Sequence, residues 1–307
     1  MNEQKILIIL GPTSSGKTDL AVDLAKKYNG EVISADSRQV FRGLDIGSGK
    51  VTKKEMRGIP HHLLDVASPN RAFSVIRFKK KADKVIADIL KRGKLPIIAG
   101  GTGFYIQAIV DNIVLPEVKP NLILRKELEG LLKEDREKAI KEMGMRLKKL
   151  DPRRFKEIDQ KNPRRLMRAI EIATALGKVP KPKLTEDGLL SNYQFLQIGI
   201  RTDDDVLKKR IGGRFEERIK AGIVEEAENL HRKGLTWERM NEIGLAHKYI
   251  ASYLKNKISK EEMIENSIKE EKQYAKRQKT WFKRDKRIIW VNLMDHERIK
   301  KLVTDFL

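Results

Sequence analysis

Lys5-Ile6-Leu7-Ile8-Ile9-Leu10 runs without a break into Gly11-Pro12-Thr13-Ser14-Ser15-Gly16-Lys17-Thr18. The first stretch is apolar and rich in β-branched residues, as expected of a strand buried on both faces of a parallel sheet. The second matches G-x-x-x-x-G-K-[ST], and from Thr18 to Tyr28 the residues Leu20, Ala21, Leu24 and Ala25 fall at helical spacing. Strand, glycine turn and helix in that order are the context this motif needs. The glycines let backbone N–H groups converge on one point, and the helix N-terminus adds partial positive charge. Lys17 neutralises outer phosphate oxygens, and the Thr18 hydroxyl is the group that ligates Mg²⁺ in such loops. Gly11, Pro12, Thr13, Ser14, Ser15, Gly16, Lys17 and Thr18 therefore read as a diphosphate or triphosphate cradle, with an ordinary glycine turn as the alternative. Nucleotide-binding and ATP-binding proteins share the motif, so it leaves the phosphate ester unnamed.

Outward from this loop, Glu31 to Ala35 and Leu95 to Ala99 are further strand candidates, with an amphipathic helix from about Val75 to Lys91 between them. Such alternation implies a parallel α/β sheet. From Pro116 to about Leu190 strand signals stop, and the pattern is helical with breaks at Asp151-Pro152, at Asn162-Pro163 and from Gly177 through Lys183. Strand character returns at Phe195 to Ile200 and again at Ile288 to Val291. The expected architecture is α/β: a P-loop parallel sheet flanked by helices over 1–115 and 195–307, with an inserted all-helical domain over 116–194.

A phosphoryl-transferring member of this class usually ends a second apolar strand in a metal-binding aspartate. Here that strand runs into Gly100-Gly101-Thr102-Gly103 with no carboxylate, which weakens an ATPase reading. The carboxylate appears instead as Asp36, after Glu31 to Ala35, at the strand end where open α/β sheets place their ligands. Asp36 can take a proton from an incoming nucleophile, and Thr102 can orient the same group. A turn cap is the plainer reading of Asp36.

The chain has 307 residues, 65 Lys and Arg against 43 Asp and Glu, a net charge of +22 and no cysteine. Disulfides, thiol nucleophiles and cysteine-ligated metals are thereby excluded. No apolar run approaches the roughly 20 residues of a membrane span, and Met1-Asn2-Glu3-Gln4-Lys5 lacks the layout of a signal peptide, so a cytoplasmic monomer with no membrane contact and no obligate protein partner is expected. Residues 146–168 hold ten bases against three acids, and 272–287 eight against one. These two stretches suit a polyanion such as RNA. In the second, Tyr274, Gln278 and Trp281 share one helical face flanked by Lys276, Arg277 and Lys279, a stripe for stacking bases or for packing into a core. In the first, Arg153, Arg154, Arg164, Arg165 and Arg168 can clamp a nucleic-acid backbone or merely solubilise helices. His61 and His62 have no metal-ligand partners at suitable spacing and read as structural. The residues alone leave open a small-molecule kinase and an RNA-binding module with an idle phosphate site.

Taken together, Gly11 to Thr18, Asp36-Ser37-Arg38-Gln39-Val40, Arg42-Gly43-Leu44-Asp45-Ile46-Gly47, Pro60-His61-His62-Leu63-Leu64-Asp65, Gly100 to Gly103 with Tyr105, Arg164-Arg165-Leu166 with Arg168 to Glu171, Arg210 and Arg214, and Tyr274 to Gln278 with Thr280-Trp281-Phe282 resemble the tRNA dimethylallyltransferases, also called tRNA isopentenyltransferases, of the short bacterial type. The resemblance covers nearly the whole chain. It implies transfer of the dimethylallyl group from dimethylallyl diphosphate to the exocyclic amine of the adenosine 3′ of the tRNA anticodon, with diphosphate leaving and no nucleoside triphosphate consumed. It implies Asp36 as general base, Thr102 as its positioning partner, and Asp36, Ser37, Arg38, Gln39 and Thr102 as contacts to the extruded adenosine. It assigns Lys17, Arg214 and Thr18 with Mg²⁺ to the diphosphate, and Arg125 and Pro163, Arg164, Arg165, Leu166 and Met167 to the tRNA anticodon arm, to which the basic stripe adds Arg277 and Trp281. The chain departs from the family pattern at Ile243-Gly244-Leu245-Ala246-His247, where a tyrosine is common, and no tRNA contact is carried onto 241–247.

Overall fold

The computed structural model describes residues 4–181, 183–184 and 193–307. Met1 to Glu3, on which part of the signal-peptide reading rests, and the stretch from 185 to 192, in the last part of the expected insertion, lie outside the described residues. The chain divides into two compact units, 1–112 with 186–307, and 113–185.

The first unit is built on a six-stranded sheet. Its strands are β1 (Gln4–Leu10), β2 (Gly30–Ser34), β3 (His61–His62), β4 (Leu95–Gly100), β7 (Tyr193–Arg201) and β8 (Ile289–Asn292); β5 (Ile113–Val114) and β6 (Lys183–Leu184) pair with each other in the second unit. The sheet order is β3-β2-β4-β1-β7-β8 and every pairing in it is parallel. β1 has partners on both sides, with Leu7 opposite Ile97 and Leu196, which is why its apolar run is unbroken.

Successive residues of β1 point to opposite faces. Ile6, Ile8 and Leu10 join a core with Phe78, Ala82, Ile86 and Ile89 of the helix Val75–Lys91. Leu7 and Ile9 join Leu20, Ala21, Leu24 and Ala25 of the helix Lys17–Lys27, and Ile299 and Val303 of the helix His296–Phe306. A third core in this unit gathers Val40, Phe41 and Leu44 with Phe215, Ile223, Ile250 and Met263 of the later helices. The strand β3 is an addition to the sequence reading: two histidines carry no strand signal, and they are held by pairing with Val32 and Ile33 and by a 2.8 Å bond from His62 Nε2 to buried Glu31.

The second unit has helices Leu122–Glu134, Arg136–Leu150, Pro152–Glu157 and Pro163–Leu176, capped by Asn121, Asp135, Asp151 and Asn162. Proline stands at the start of the last two helices, where its missing N–H costs nothing. The breaks expected at Asp151-Pro152 and Asn162-Pro163 are thus helix starts. Leu128, Met143, Leu147, Leu166 and Ile170 form its core. The β5–β6 ribbon, Ile113 opposite Leu184 and Val114 opposite Lys183, is an addition to the helical insertion read from the sequence; two-residue strands leave no periodicity to detect.

Candidate active site

Because the sheet is parallel, the turns after β1, β2 and β4 leave the same edge. They bring the phosphate loop, Asp36 and the glycine turn Gly100-Gly101 to one cleft within the first unit, and Thr102 follows that turn, tied to Asp36's neighbour by a bond from Ser37 N.

The loop takes its shape from backbone conformations that most residues avoid: φ is +152° at Gly11, +60° at Ser14 and +90° at Gly16. A Cβ at Gly16 would also overlap Leu293. No side chain caps the helix Lys17–Lys27, so its first N–H groups remain free for a ligand. Ser14 and Ser15 are buried, and their hydroxyls have no hydrogen-bond partner among the described residues. Such orphaned donors inside a loop of this type fit phosphate oxygens. Lys17 Nζ donates to Pro12 O at 2.6 Å, and burial pushes its ammonium down to about 8; the charge of Asp36 raises it and that of Arg214 lowers it further. Lys17 therefore senses both groups across the cleft. Arg214, on the helix Asp204–Lys220, has no ion pair among the described residues and borders the same cleft.

Asp36 is both a cap and a free carboxylate. Its Oδ1 accepts from Arg38 N at 2.8 Å and Gln39 N at 3.4 Å, which realises the turn-cap reading. Its Oδ2 has no hydrogen-bond partner among the described residues. Thr102 N donates to Ala35 O at 3.1 Å, and Thr102 Oγ1 accepts from Ser37 N at 2.9 Å, so the β2 and β4 turns are sewn together. Gly100 permits this, since a Cβ there would strike the Ala35 carbonyl. Thr102 also lies beside the Tyr274 hydroxyl and favours its ionised form. Burial, and then the charge of Asp36, pushes the Tyr274 hydroxyl up to about 12, and the same two causes raise Tyr105. Both phenols keep their protons and lie within electrostatic reach of Asp36. Arg38 is held by Glu242 O at 2.8 Å and is pushed down by burial.

The aromatic stripe of the helix Lys260–Phe282 divides three ways. Gln278 is buried and joins two turns: its Oε1 accepts from Thr13 N at 2.8 Å and its Nε2 donates to Gly101 O at 2.8 Å. It is a site residue that the sequence reading places on a stacking face; the missed signal is a polar amide between an alanine and an aromatic on a helix's inward side. Tyr274 faces Asp36. Trp281 is half-buried against Gly103, edge-on to Phe104 at 6.1 Å, with Arg284 6.0 Å from its ring. Arg277 is exposed, 5.8 Å from the Tyr274 ring and bonded to Glu270 at 2.9 Å.

In the second unit the expected tRNA contacts separate as well. Pro163 opens its helix, and Arg164 and Arg165 are exposed on the first turn. Leu166 and Met167 are 0% and 6% exposed, so their side chains belong to the unit's core and only their main chain is available for a contact. Arg125 binds the fully buried carboxylate of Glu171 through two bonds of 2.6 and 3.0 Å, alongside Arg168 at 2.9 Å. Charge that the sequence suggests for a backbone clamp is thus partly spent on a buried acid.

Among the described residues there is no group of three His, Cys, Asp or Glu side chains able to hold a metal. The exposed Thr18 hydroxyl on the cleft wall is the kind of lone protein donor that suits Mg²⁺ shared with a diphosphate, since this ion keeps most of its water and leans on phosphate oxygens. No described helix is long and apolar enough to cross a membrane.

Comparison with known proteins points one way. A family model described as IPP transferase matches residues 39–285. A tRNA dimethylallyltransferase of Thermoanaerobacter sp. is 41% identical over 309 residues, covering 99% of this chain and 97% of that protein. One from Acetivibrio thermocellus is 39% identical over 300 residues, covering 97% and 95%. Among solved structures, the full-length tRNA isopentenylpyrophosphate transferase of Bacillus halodurans aligns with a TM-score of 0.71 at 33% identity, over 99% of this chain and 98% of that one. A eukaryotic dimethylallyltransferase described as acting on tRNA aligns with a TM-score of 0.79 at 27% identity, over 99% and 79%.

Proposed function

Because the chain belongs to the IPP transferase family, we propose that it transfers the dimethylallyl group from dimethylallyl diphosphate to the exocyclic amine of the adenosine 3′ of the tRNA anticodon, and does so in the cytoplasm. The observation that carries this reading is the pairing, in one cleft, of a cradle for an anion with an aspartate whose second oxygen is uncommitted.

The diphosphate sits on the free N–H groups and the Ser14 and Ser15 hydroxyls, with Lys17 and Arg214 meeting its charge. As the allylic carbon–oxygen bond breaks, negative charge grows on the departing oxygens, and cations already fixed beside them stabilise the transition state more than the ground state. When bound, Mg²⁺ held by Thr18 and the diphosphate supplies further charge neutralisation. The adenosine, splayed from its stack, lies along Asp36 to Gln39. Asp36 Oδ2 receives the amine proton as nitrogen bonds to the allylic carbon, while Thr102 and the Arg38 and Gln39 amides hold the carboxylate in place. Arg164, Arg165 and Arg277 meet tRNA phosphates; Trp281 offers a partly open ring. Arg125 supports the insertion by holding Glu171.

The test is incubation of the protein with radiolabelled dimethylallyl diphosphate and an anticodon-arm RNA. Label should appear in the RNA, Asp36→Ala should abolish nearly all of it while tRNA binding persists, and ATP should not be consumed. Unlabelled RNA alongside ATP hydrolysis would overturn the assignment in favour of a kinase.

A further inference from the structure

The loop 43–50 supplies one wall of the cleft through Gly47, Ser48 and Gly49. Three consecutive N–H groups of this loop, those of Asp45, Ile46 and Gly47, donate to a single carboxylate, Glu226, at 2.8, 2.7 and 2.8 Å. Glu226 stands on the helix Ile223–Arg232 and touches neither the phosphate loop nor Asp36 in any hydrogen bond. Burial raises its carboxyl, and the three backbone donors offset only part of that rise.

Gly47 is pressed from another side by His247. A Cβ at Gly47 would overlap the imidazole, and so would one at Gly244, which also lines the cleft. His247 is fully buried, and both its ring nitrogens lack hydrogen-bond partners among the described residues. Burial, then the charges of Arg38 and Arg218, drives it down to about 4, so the ring is neutral. A neutral ring packed against two glycines that both line the cleft acts as a spacer. The far end of the loop is tied to the reacting side: Gly49 O accepts from Gln39 Nε2 at 3.1 Å, Gln39 Oε1 accepts from Ser34 Oγ at 3.0 Å, and Gln39 N donates to Asp36.

We propose that Glu226 and His247 are positioning residues for the transfer: the carboxylate draws the loop inward, the imidazole stops it, and the spacing so set holds Gln39 and the Asp36 turn against the adenosine. The proposal rests on the reaction assigned above. It gives the stretch 241–247, where the chain departs from the family pattern, a task inside the protein.

Three variants test it: Glu226→Gln, which sets an amide donor against a backbone donor; Gly47→Ala, which pushes the loop off the ring; and Gly47→Ala with His247→Ala, which reopens the space. A displacement of about 1 Å near reacting groups costs on the order of 100-fold. Each single variant is expected to lose about 10- to 100-fold in kcat, with affinity for inorganic diphosphate and the thermal midpoint retained, and the double variant to regain part of the Gly47→Ala loss. Wild-type kcat in both single variants, a loss matched by equal loss of diphosphate binding, or no recovery in the double variant would overturn it. Wild-type protein assayed alongside separates the two claims: if it transfers no label, the reaction itself is wrong and this role falls with it, whereas active wild type with unaffected variants refutes the bracket alone.

Discussion

Gln278→Leu removes a side chain that joins the phosphate loop to the glycine turn carrying Thr102. The replacement matches the volume, so the change is mainly the loss of two hydrogen bonds, from Thr13 N and to Gly101 O, both 2.8 Å. A buried polar group left unpaired costs about 1–3 kcal/mol. Thr13 is partly open and water can replace its bond, whereas the bond to Gly101 O is buried, so the sum should lie near 2–3 kcal/mol. For a unit of this size, about 2–4 °C of midpoint is lost per kcal/mol, giving roughly 4–12 °C by calorimetry. Function should suffer beyond stability, because the cradle and the base no longer share a fixed reference. The KM for dimethylallyl diphosphate should rise and kcat should fall, together on the order of 100-fold in kcat/KM, at temperatures where the variant is fully folded. Gln278→Glu keeps the acceptor for Thr13 but turns a carboxylate oxygen toward Gly101 O, and should be no better at neutral pH. A Gln278→Leu protein with wild-type kcat/KM and a midpoint within about 1 °C would refute the bridge.

Diphosphate affinity of the free protein should weaken as pH rises through about 8: with its pKa lowered by burial, Lys17 is charged below that pH and neutral above it. Titration calorimetry at several pH values should show this break, and Lys17→Ala should lack it. Asp36→Asn keeps the turn but not the base, and should lower kcat by about 10²–10⁴-fold in single-turnover assays with tRNA affinity little changed. Glu171→Ala leaves Arg125 and Arg168 without their buried partner; because both arginines are about one-third exposed, the loss should be about 1–3 kcal/mol, read as a lower midpoint of unfolding. Arg164→Ala and Arg165→Ala should leave that midpoint alone and each reduce the salt slope of tRNA binding by about 1, whereas Leu166→Ala should destabilise by about 2–5 kcal/mol without a specific effect on the slope.

Several features can be read before any coordinates, because their physics is local. The phosphate loop needs only a strand, two glycines and a helix start, all adjacent in the chain. The parallel sheet declares itself through apolar runs at Ile6–Leu10, Val32–Ala35 and Ile97–Ala99, and Asp36 follows from lying at the end of one of them. The breaks at Asp151-Pro152 and Asn162-Pro163 are visible from their prolines, and the structure makes each of them a capped helix start. What depends on the tertiary structure is the pairing of distant residues. Whether Gln278 stacks on a base or ties Thr13 to Gly101 is decided by which way a 23-residue helix turns its face. Whether Arg125 meets RNA or Glu171, and whether Leu166 faces outward, depend on partners 46 residues away or on a core that no window of sequence contains. The three hydrogen bonds from 45–47 to Glu226 and the packing of His247 against two glycines have no periodic or compositional trace. A motif announces chemistry whose parts are neighbours along the backbone; spacing across a cleft is set by packing, and packing is a property of the folded whole.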